Sequence, residues 1–156
     1  MDINVRGTFM CSQACLPHLE KAANPHILVL SPPISLQAKW FESHAAYTVS
    51  KFSMSMVAFG LAAELRAKGI AVNALWPRTL IATSALNVAG SQLGTLGRTP
   101  EIMADAAYLI LTRASREATG QFYLDEQVLR DAGVTDFDRY LVTPGSTPMI
   151  DLYVEP

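Results

Sequence analysis

The amino-acid composition predicts one domain with few charges. The chain has 156 residues, of which 50% are hydrophobic and 17% are charged, whereas soluble proteins carry about 25% charged residues. Its formal net charge is -2 and it contains no basic run, which disfavours nucleic acid or a polybasic membrane patch as a partner. Two cysteines are too few for a disulfide framework, and the first residues lack the apolar segment of a secretory signal. We therefore expect one cytoplasmic domain over residues 1–156, with a small molecule or a protein as its partner.

Helices and strands alternate along the first half of the chain. Apolar residues recur at three- and four-residue steps over residues 2–22, which predicts a helix. Residues 26–30 form a short apolar run that ends at Ser31, which is typical of a buried parallel strand. Residues 44–68 favour a long helix that Gly69 would end, and its apolar part is shorter than the about 18–20 residues that cross a bilayer. Because its apolar residues spread round the cylinder, we expect neighbours on two of its sides.

The second half of the chain continues this alternation. The predicted elements are a buried strand over 70–75, an irregular stretch over 78–99, a helix over 100–113, a strand over 121–124 and an amphipathic segment over 126–131. From about residue 140 the tail should be mostly irregular. The connections are long enough for parallel pairing, so the sequence predicts an α/β fold with right-handed crossovers.

A tyrosine and a lysine lie four residues apart near the start of the long helix. Tyr47 and Lys51 should share one helix face, about 6 Å apart along the axis. A nearby ammonium favours the phenolate, so it is expected to lower the tyrosine pKa and to create a proton donor and acceptor near neutral pH. A half-exposed surface pair is the alternative. The preceding and following strands end at Ser31 and Pro77, and their carboxyl ends should open at one sheet edge, where α/β folds bind ligands.

Together these segments resemble the short-chain dehydrogenase/reductase family over nearly the whole chain. The matching segments are 4–7, the strand that ends at Ser31, the Tyr-Thr-Val-Ser-Lys run at 47–51, and 72–77. Segments 31–33, 40–41, 74–77 and 123–126 are similar, more narrowly, to the hydroxysteroid dehydrogenase-like subgroup. The resemblance implies a Rossmann-like parallel sheet with flanking helices, without the N-terminal strands that bind the cofactor.

The resemblance also implies a reaction, the NAD(P)(H)-dependent interconversion of a carbonyl and an alcohol. Tyr47 would exchange a proton with the substrate oxygen, and Lys51 would hold the nicotinamide ribose and depress the tyrosine pKa. Ser31 would hydrogen-bond the substrate oxygen, and Asn4 would support a proton relay through water. The cofactor is NADP or NAD, no metal is expected, and the cofactor-binding residues are Tyr47, Lys51, Pro77 and Thr83.

Three departures from the family's pattern stand out. Ser31 lies further before Tyr47 than the family's serine usually does, so Ser35 is a rival for its role. The family's Pro-Gly after the later strand is Pro-Arg here, and Arg78 either changes the loop, reaches towards a phosphate or acidic substrate, or is solvated. The glycine-rich turn that binds the cofactor pyrophosphate is absent. The glycines at 90, 94 and 97 are interpreted as part of a mobile loop on the substrate side.

Two functions remain open from the sequence. The chain is either an active oxidoreductase or a truncated, non-catalytic short-chain dehydrogenase fragment that acts only by association. In the family, the helices that correspond to 2–22 and 44–68 pack against a second subunit. The resemblance therefore implies a homo-oligomer through these two helices.

Overall fold

The computed structural model describes residues 1–84, 86 and 92–156. Gly90, part of the predicted glycine-containing loop, lies outside the described residues. The chain forms two compact units. The first consists of Met1–Trp76 and Leu111–Tyr123, and the second of Pro77–Ile110 and Leu124–Pro156.

The described elements follow the predicted order. They are, along the chain, a π-turn (Asp2–Arg6), α1 (Gly7–Leu19), β1 (His26–Val29), α2 (Ala45–Leu65), β2 (Ala71–Trp76), α3 (Glu101–Thr112), β3 (Phe122–Leu124) and α4 (Asp125–Asp131). Short 3-10 turns cover Ala38–Trp40, Arg66–Lys68, Gln92–Leu96 and Asp138–Tyr140. The strands form a parallel sheet in the order β1-β2-β3, which confirms the predicted α/β class.

The long helix α2 ends where its sequence predicts. The Arg66–Lys68 turn extends it, and Gly69 then adopts φ 71°, in the left-handed region where glycine meets no penalty from a Cβ. Strand β2 begins two residues later and is buried along its whole length. Pairing of His26 with Ala71 and of Val29 with Ala74 sets the register against β1.

Helix α2 has one buried face and one exposed face. Its buried positions recur at three- and four-residue steps and include Ala58, Leu61, Ala62 and Leu65, which pack with Val29 of β1 and Ile70 and Val72 near β2. Val49 and Met56 are 41% and 53% exposed on the other side, whereas Phe59, 57% exposed, stacks on Phe122 of β3 with the ring centroids 6.2 Å apart. The described chain therefore covers one side of this helix.

The tail of the second unit is held by backbone contacts although it is mostly irregular. Thr79 bridges Ile150, and Arg98 bridges Leu141. The N–H of Leu80 donates to the carbonyl of Met149 at 2.9 Å. None of the described helices is long and apolar enough to span a membrane.

Candidate active site

Ser31 lies at the carboxyl end of β1 and is buried. It is 1% exposed, and its N–H donates to the Val29 carbonyl at 3.0 Å. Its hydroxyl has no hydrogen-bond partner among the described residues. A buried hydroxyl without a partner is costly, so a ligand oxygen that accepts from it or donates to it would remove a penalty.

The rival serine, Ser35, is engaged differently. It lies in the loop after β1 and is half-buried, and its hydroxyl accepts the N–H of Gln37 at 3.4 Å. This contact is a local turn within the loop. Of the two serines, Ser31 is the one whose hydroxyl makes no hydrogen bond with the described residues.

Lys51 lies where the ends of β1 and β2 meet. Its Nζ donates to the carbonyl of Leu30, directly after β1, at 3.3 Å. The same ammonium lies 5.1 Å from the centroid of the Trp76 ring, on the last residue of β2. An ammonium at this distance from an indole ring is attracted by the ring's negative face. The structure thus brings Lys51 to the sheet edge at which the sequence predicts a ligand.

Tyr47 lies in the first turn of α2, one turn before Lys51. Its side chain is 45% exposed, so a ligand has access to it. The same helix holds its position through two buried hydroxyl residues. Thr48 Oγ1 donates to the Trp40 carbonyl at 2.5 Å, and Ser55 Oγ donates to the Pro32 carbonyl at 2.6 Å.

These two hydroxyl contacts were not found by sequence reasoning. Both fasten α2 to the loop that follows β1, and they thereby fix Tyr47 and Lys51 relative to Ser31. The only sequence signal is that Thr48 and Ser55 lie seven residues apart, on one helix face, among apolar neighbours.

Asn4 contacts helix α2 at Ser50, the residue before Lys51. Its Nδ2 donates to the hydroxyl of Ser50 at 2.8 Å, which ties the π-turn at the start of the chain to α2. The predicted proton relay through Asn4 remains a prediction.

Pro77 and Thr83 belong to the second unit. Pro77 follows β2 directly and is half-buried, whereas Thr83 is exposed, and its carbonyl accepts the N–H of Leu86 at 3.1 Å. Their assignment to cofactor binding remains a prediction. The loops that follow β1, at 30–44, and β2, at 77–84, contain no glycine.

A buried carboxyl holds the loop after β2 within the second unit. Asp125 is fully buried, and its Oδ1 accepts the N–H of Arg78 at 2.8 Å and that of Glu126 at 2.6 Å. Burial raises the pKa of Asp125 above its usual value, although the two N–H groups oppose this effect. In the sequence, residues 123–126 are noted only for their resemblance to the subgroup. That Asp125 holds the loop after β2 was not predicted.

Comparison with known proteins places these features in context. A family model described as short chain dehydrogenase matches residues 1–92. Hydroxysteroid dehydrogenase-like protein 2 of Danio rerio is 49% identical over 156 residues, which cover 99% of this chain and 37% of that protein. The chain thus spans little more than a third of the length of this relative.

Solved structures share the fold. A crystal structure from Xanthomonas campestris is 51% identical, with a TM-score of 0.94, and the match covers 99% of this chain and 57% of that one. A 3-oxoacyl-[acyl-carrier protein] reductase from Brucella melitensis, solved with bound NAD, is 28% identical, with a TM-score of 0.58 over 79% of this chain and 47% of that one.

Proposed function

Because this chain belongs to the short-chain dehydrogenase family of oxidoreductases, we propose that it performs the proton-transfer half of an NAD(P)(H)-dependent interconversion of a carbonyl and an alcohol. The observation that carries the proposal is the buried hydroxyl of Ser31, which has no partner among the described residues. Ser31 follows Leu30, whose carbonyl accepts from the Lys51 ammonium. A polar ligand oxygen would give the Ser31 hydroxyl the partner that the described residues do not supply. Tyr47, half-exposed one turn away, is the proton donor and acceptor.

Each residue has a distinct task in this proposal. Ser31 donates a hydrogen bond to the substrate oxygen and orients it. Tyr47 gives a proton to that oxygen during reduction and takes it back during oxidation. The Lys51 ammonium, held by the Leu30 carbonyl and the Trp76 ring, favours the ionised form of the tyrosine and binds a ribose hydroxyl. Asn4 supports the return of the proton through water.

The residues present fit one end of a nicotinamide cofactor. Members of the family bind NAD or NADP, and when bound the cofactor supplies or accepts the hydride. Lys51 and Tyr47 suit its nicotinamide ribose. Pro77 and Thr83 are proposed as further cofactor-binding residues. Nothing in the loops after β1 and β2 resembles the glycine-rich turn that receives a pyrophosphate, so we assign no pyrophosphate contact to these residues.

Substitution of Tyr47 by phenylalanine tests the proposal. Oxidation of NADPH and NADH is followed by absorbance with a panel of ketosteroids, aliphatic ketones and quinones, in the protein that carries this chain. Tyr47→Phe should lower kcat about 10²- to 10⁴-fold with little change in KM, because only the proton donor is lost. Tyr108→Phe is the matched control, since Tyr108 is 68% exposed on α3 in the second unit. An unchanged kcat in Tyr47→Phe removes Tyr47 from the reaction.

The same assay separates the two serines. Ser31→Ala should lower turnover because the substrate oxygen loses a hydrogen-bond donor, whereas Ser35→Ala should leave turnover intact because its hydroxyl serves the Gln37 turn. The reverse result would transfer the role to Ser35.

Association without catalysis is the second candidate function. Its support is the apolar surface of α2 at Val49, Met56 and Phe59, together with Phe9 and Met10 of α1, which are 41% and 48% exposed. Apolar patches of this kind mark interaction sites. We propose that α1 and α2 form a homo-oligomer interface, with or without activity. We also propose a cytoplasmic location, where the exposed Cys11 and Cys15 remain reduced.

A further inference from the structure

Three arginines surround one glutamate in the second unit. Glu126 Oε2 accepts from Arg98 Nη1 at 2.5 Å, and Oε1 accepts from Arg130 Nε and Nη2 at 3.0 and 2.8 Å. Arg78 Nε lies further away, at 3.9 Å from the same Oε1. Arg98 and Glu126 are only 7% and 10% exposed at their side chains, so they form the inner part of this cluster.

The two outer arginines border an open cavity. Its volume is about 350 Å³, near the lower end of the range of about 300–1,000 Å³ for ligand pockets. Its lining consists of Arg78, Leu124, Glu126, Gln127 and Arg130. The side chains of Arg78 and Arg130 are 34% and 53% exposed, so both remain in reach of a ligand.

The cluster keeps hydrogen-bond donors and positive charge in excess. Among the described residues, the terminal nitrogens of Arg78 make no hydrogen bond, and Arg130 uses Nε and Nη2 on Glu126 but not Nη1. Three guanidinium groups face two carboxyl groups, Glu126 and the buried Asp125. An anion in the cavity would therefore meet unused donors and uncompensated charge.

From this arrangement we infer that the cavity between Arg78 and Arg130 binds the phosphate group of a small molecule. The donors come from two segments, the loop after β2 and the last turn of α4. A planar carboxylate is satisfied by one guanidinium fork, that of Arg78, whereas a tetrahedral phosphate keeps further oxygens for Nη1 of Arg130. Glu126 holds Arg130 in place, and the Asp125 carboxyl holds the backbone of Arg78. The inference does not depend on the roles proposed for Tyr47 and Lys51.

Calorimetric titration of the chain with inorganic phosphate tests the inference. The ionic strength is held constant with chloride, and acetate serves as the carboxylate probe. Phosphate should bind, and Arg78→Gln should weaken its binding about tenfold or more, because a charged hydrogen-bond donor is lost. Arg139→Gln is the matched control, since Arg139 is 54% exposed in the same unit but paired with Asp105, and it should leave the affinity unchanged.

Three results would overturn the inference. They are the absence of phosphate binding, equal binding by Arg78→Gln, and acetate binding as tight as that of phosphate. Circular dichroism checks that each variant folds. Should Arg78→Gln fail to fold, Arg78→Lys replaces it, and severalfold weaker phosphate binding is then expected because an ammonium keeps the charge but lacks the fork.

A competition experiment identifies the source of the phosphate. The titration is repeated on the protein that carries this chain, in the presence of NADP⁺ at a concentration shown to saturate it. Mutually exclusive binding assigns the site to a phosphate of the dinucleotide, and simultaneous binding assigns it to a second metabolite. Either result keeps the site, and both can be read whether or not Tyr47 proves to be catalytic.

Discussion

Replacing Glu126 by glutamine should strongly destabilise the chain. The substitution keeps the shape of the side chain and removes its charge. Arg98 loses the carboxylate with which it forms an ion pair. Because its side chain is only 7% exposed, its guanidinium charge then stays buried without this ionic partner. Arg130 also loses this partner, but it is 53% exposed and water can replace the contact. The cost therefore falls mainly on Arg98.

The magnitude follows from the burial of this pair. Removing one partner of a buried ion pair costs about 3–5 kcal/mol. We expect the lower value, about 3 kcal/mol, because glutamine keeps one oxygen that accepts a hydrogen bond. In a chain of this length, each kcal/mol lowers Tm by about 2–4 °C, so Tm should fall by about 6–12 °C.

Urea denaturation and calorimetry of the chain measure this loss. Glu20→Gln is the matched control, because Glu20 contacts Lys68 at the same distance, 2.5 Å, while the two side chains are 44% and 51% exposed. An exposed pair contributes less than about 1 kcal/mol. If the two variants lose the same free energy of unfolding, the reasoning is refuted, because burial would then not determine how much an ion pair stabilises the chain.

The pH dependence gives a second measurement. Burial alone raises the pKa of Glu126, but hydrogen bonds from Arg130 and Arg98 outweigh it and hold the pKa below its usual value. Such a carboxylate contributes stability that is fully present above its unfolded pKa, about 4.3, and is lost as the pH falls through the lower folded pKa. The difference between wild type and Glu126→Gln should therefore shrink as the pH falls below about 4.

Four further results are expected. Gly69→Ala should cost about 1–2 kcal/mol in urea denaturation, because φ is 71° and an added Cβ would meet the Arg116 side chain. Gly60→Ala, a helical position with nothing within 4 Å, should instead stabilise by about 0.5–1 kcal/mol. Calorimetric titration of the chain with NADPH should show no low-micromolar binding, since the loops after β1 and β2 contain no glycine, and tight binding would contradict this. Light scattering should show association that Met56→Ser weakens, because Met56 is 53% exposed on α2, whereas a monodisperse monomer of the wild-type chain would count against an interface on α2.

The sequence predicts the elements well because their signals are local. The end of α2 depends on one glycine, and the burial of β2 depends on a run that is apolar except for Asn73, so both can be predicted from a few neighbouring residues. The parallel pairing of the strands follows from the length of the connections between them. Tyr47 and Lys51 are recognisable in the same way, since four residues separate them on one helix.

The side-chain contacts between distant segments have no such local signal in the sequence. Ser55 contacts the carbonyl of Pro32 across 23 residues, and Arg98 reaches Glu126 across 28. Each contact joins two segments that only the folded chain brings together. The position of the tail after residue 140 could not be predicted for the same reason. Its irregular backbone is held by a bridge from Thr79 to Ile150, and no periodicity in the sequence indicates this pairing.

Two adjacent carboxyl groups of α4 should respond to pH in opposite directions. Burial raises the pKa of Asp125, so its protonated form is favoured in the folded chain, in contrast to Glu126. Its contribution is greatest at low pH, and stability falls as the pH rises from about 3.9 through the raised folded pKa. Asp125→Asn removes this charge while keeping an oxygen for the N–H of Arg78. Relative to wild type, the variant should therefore gain stability on going from acid to neutral pH, whatever constant cost its amide adds. If the stability of the two proteins changes with pH in the same way, the prediction is wrong, because the buried charge of Asp125 would then be compensated by other groups in the fold.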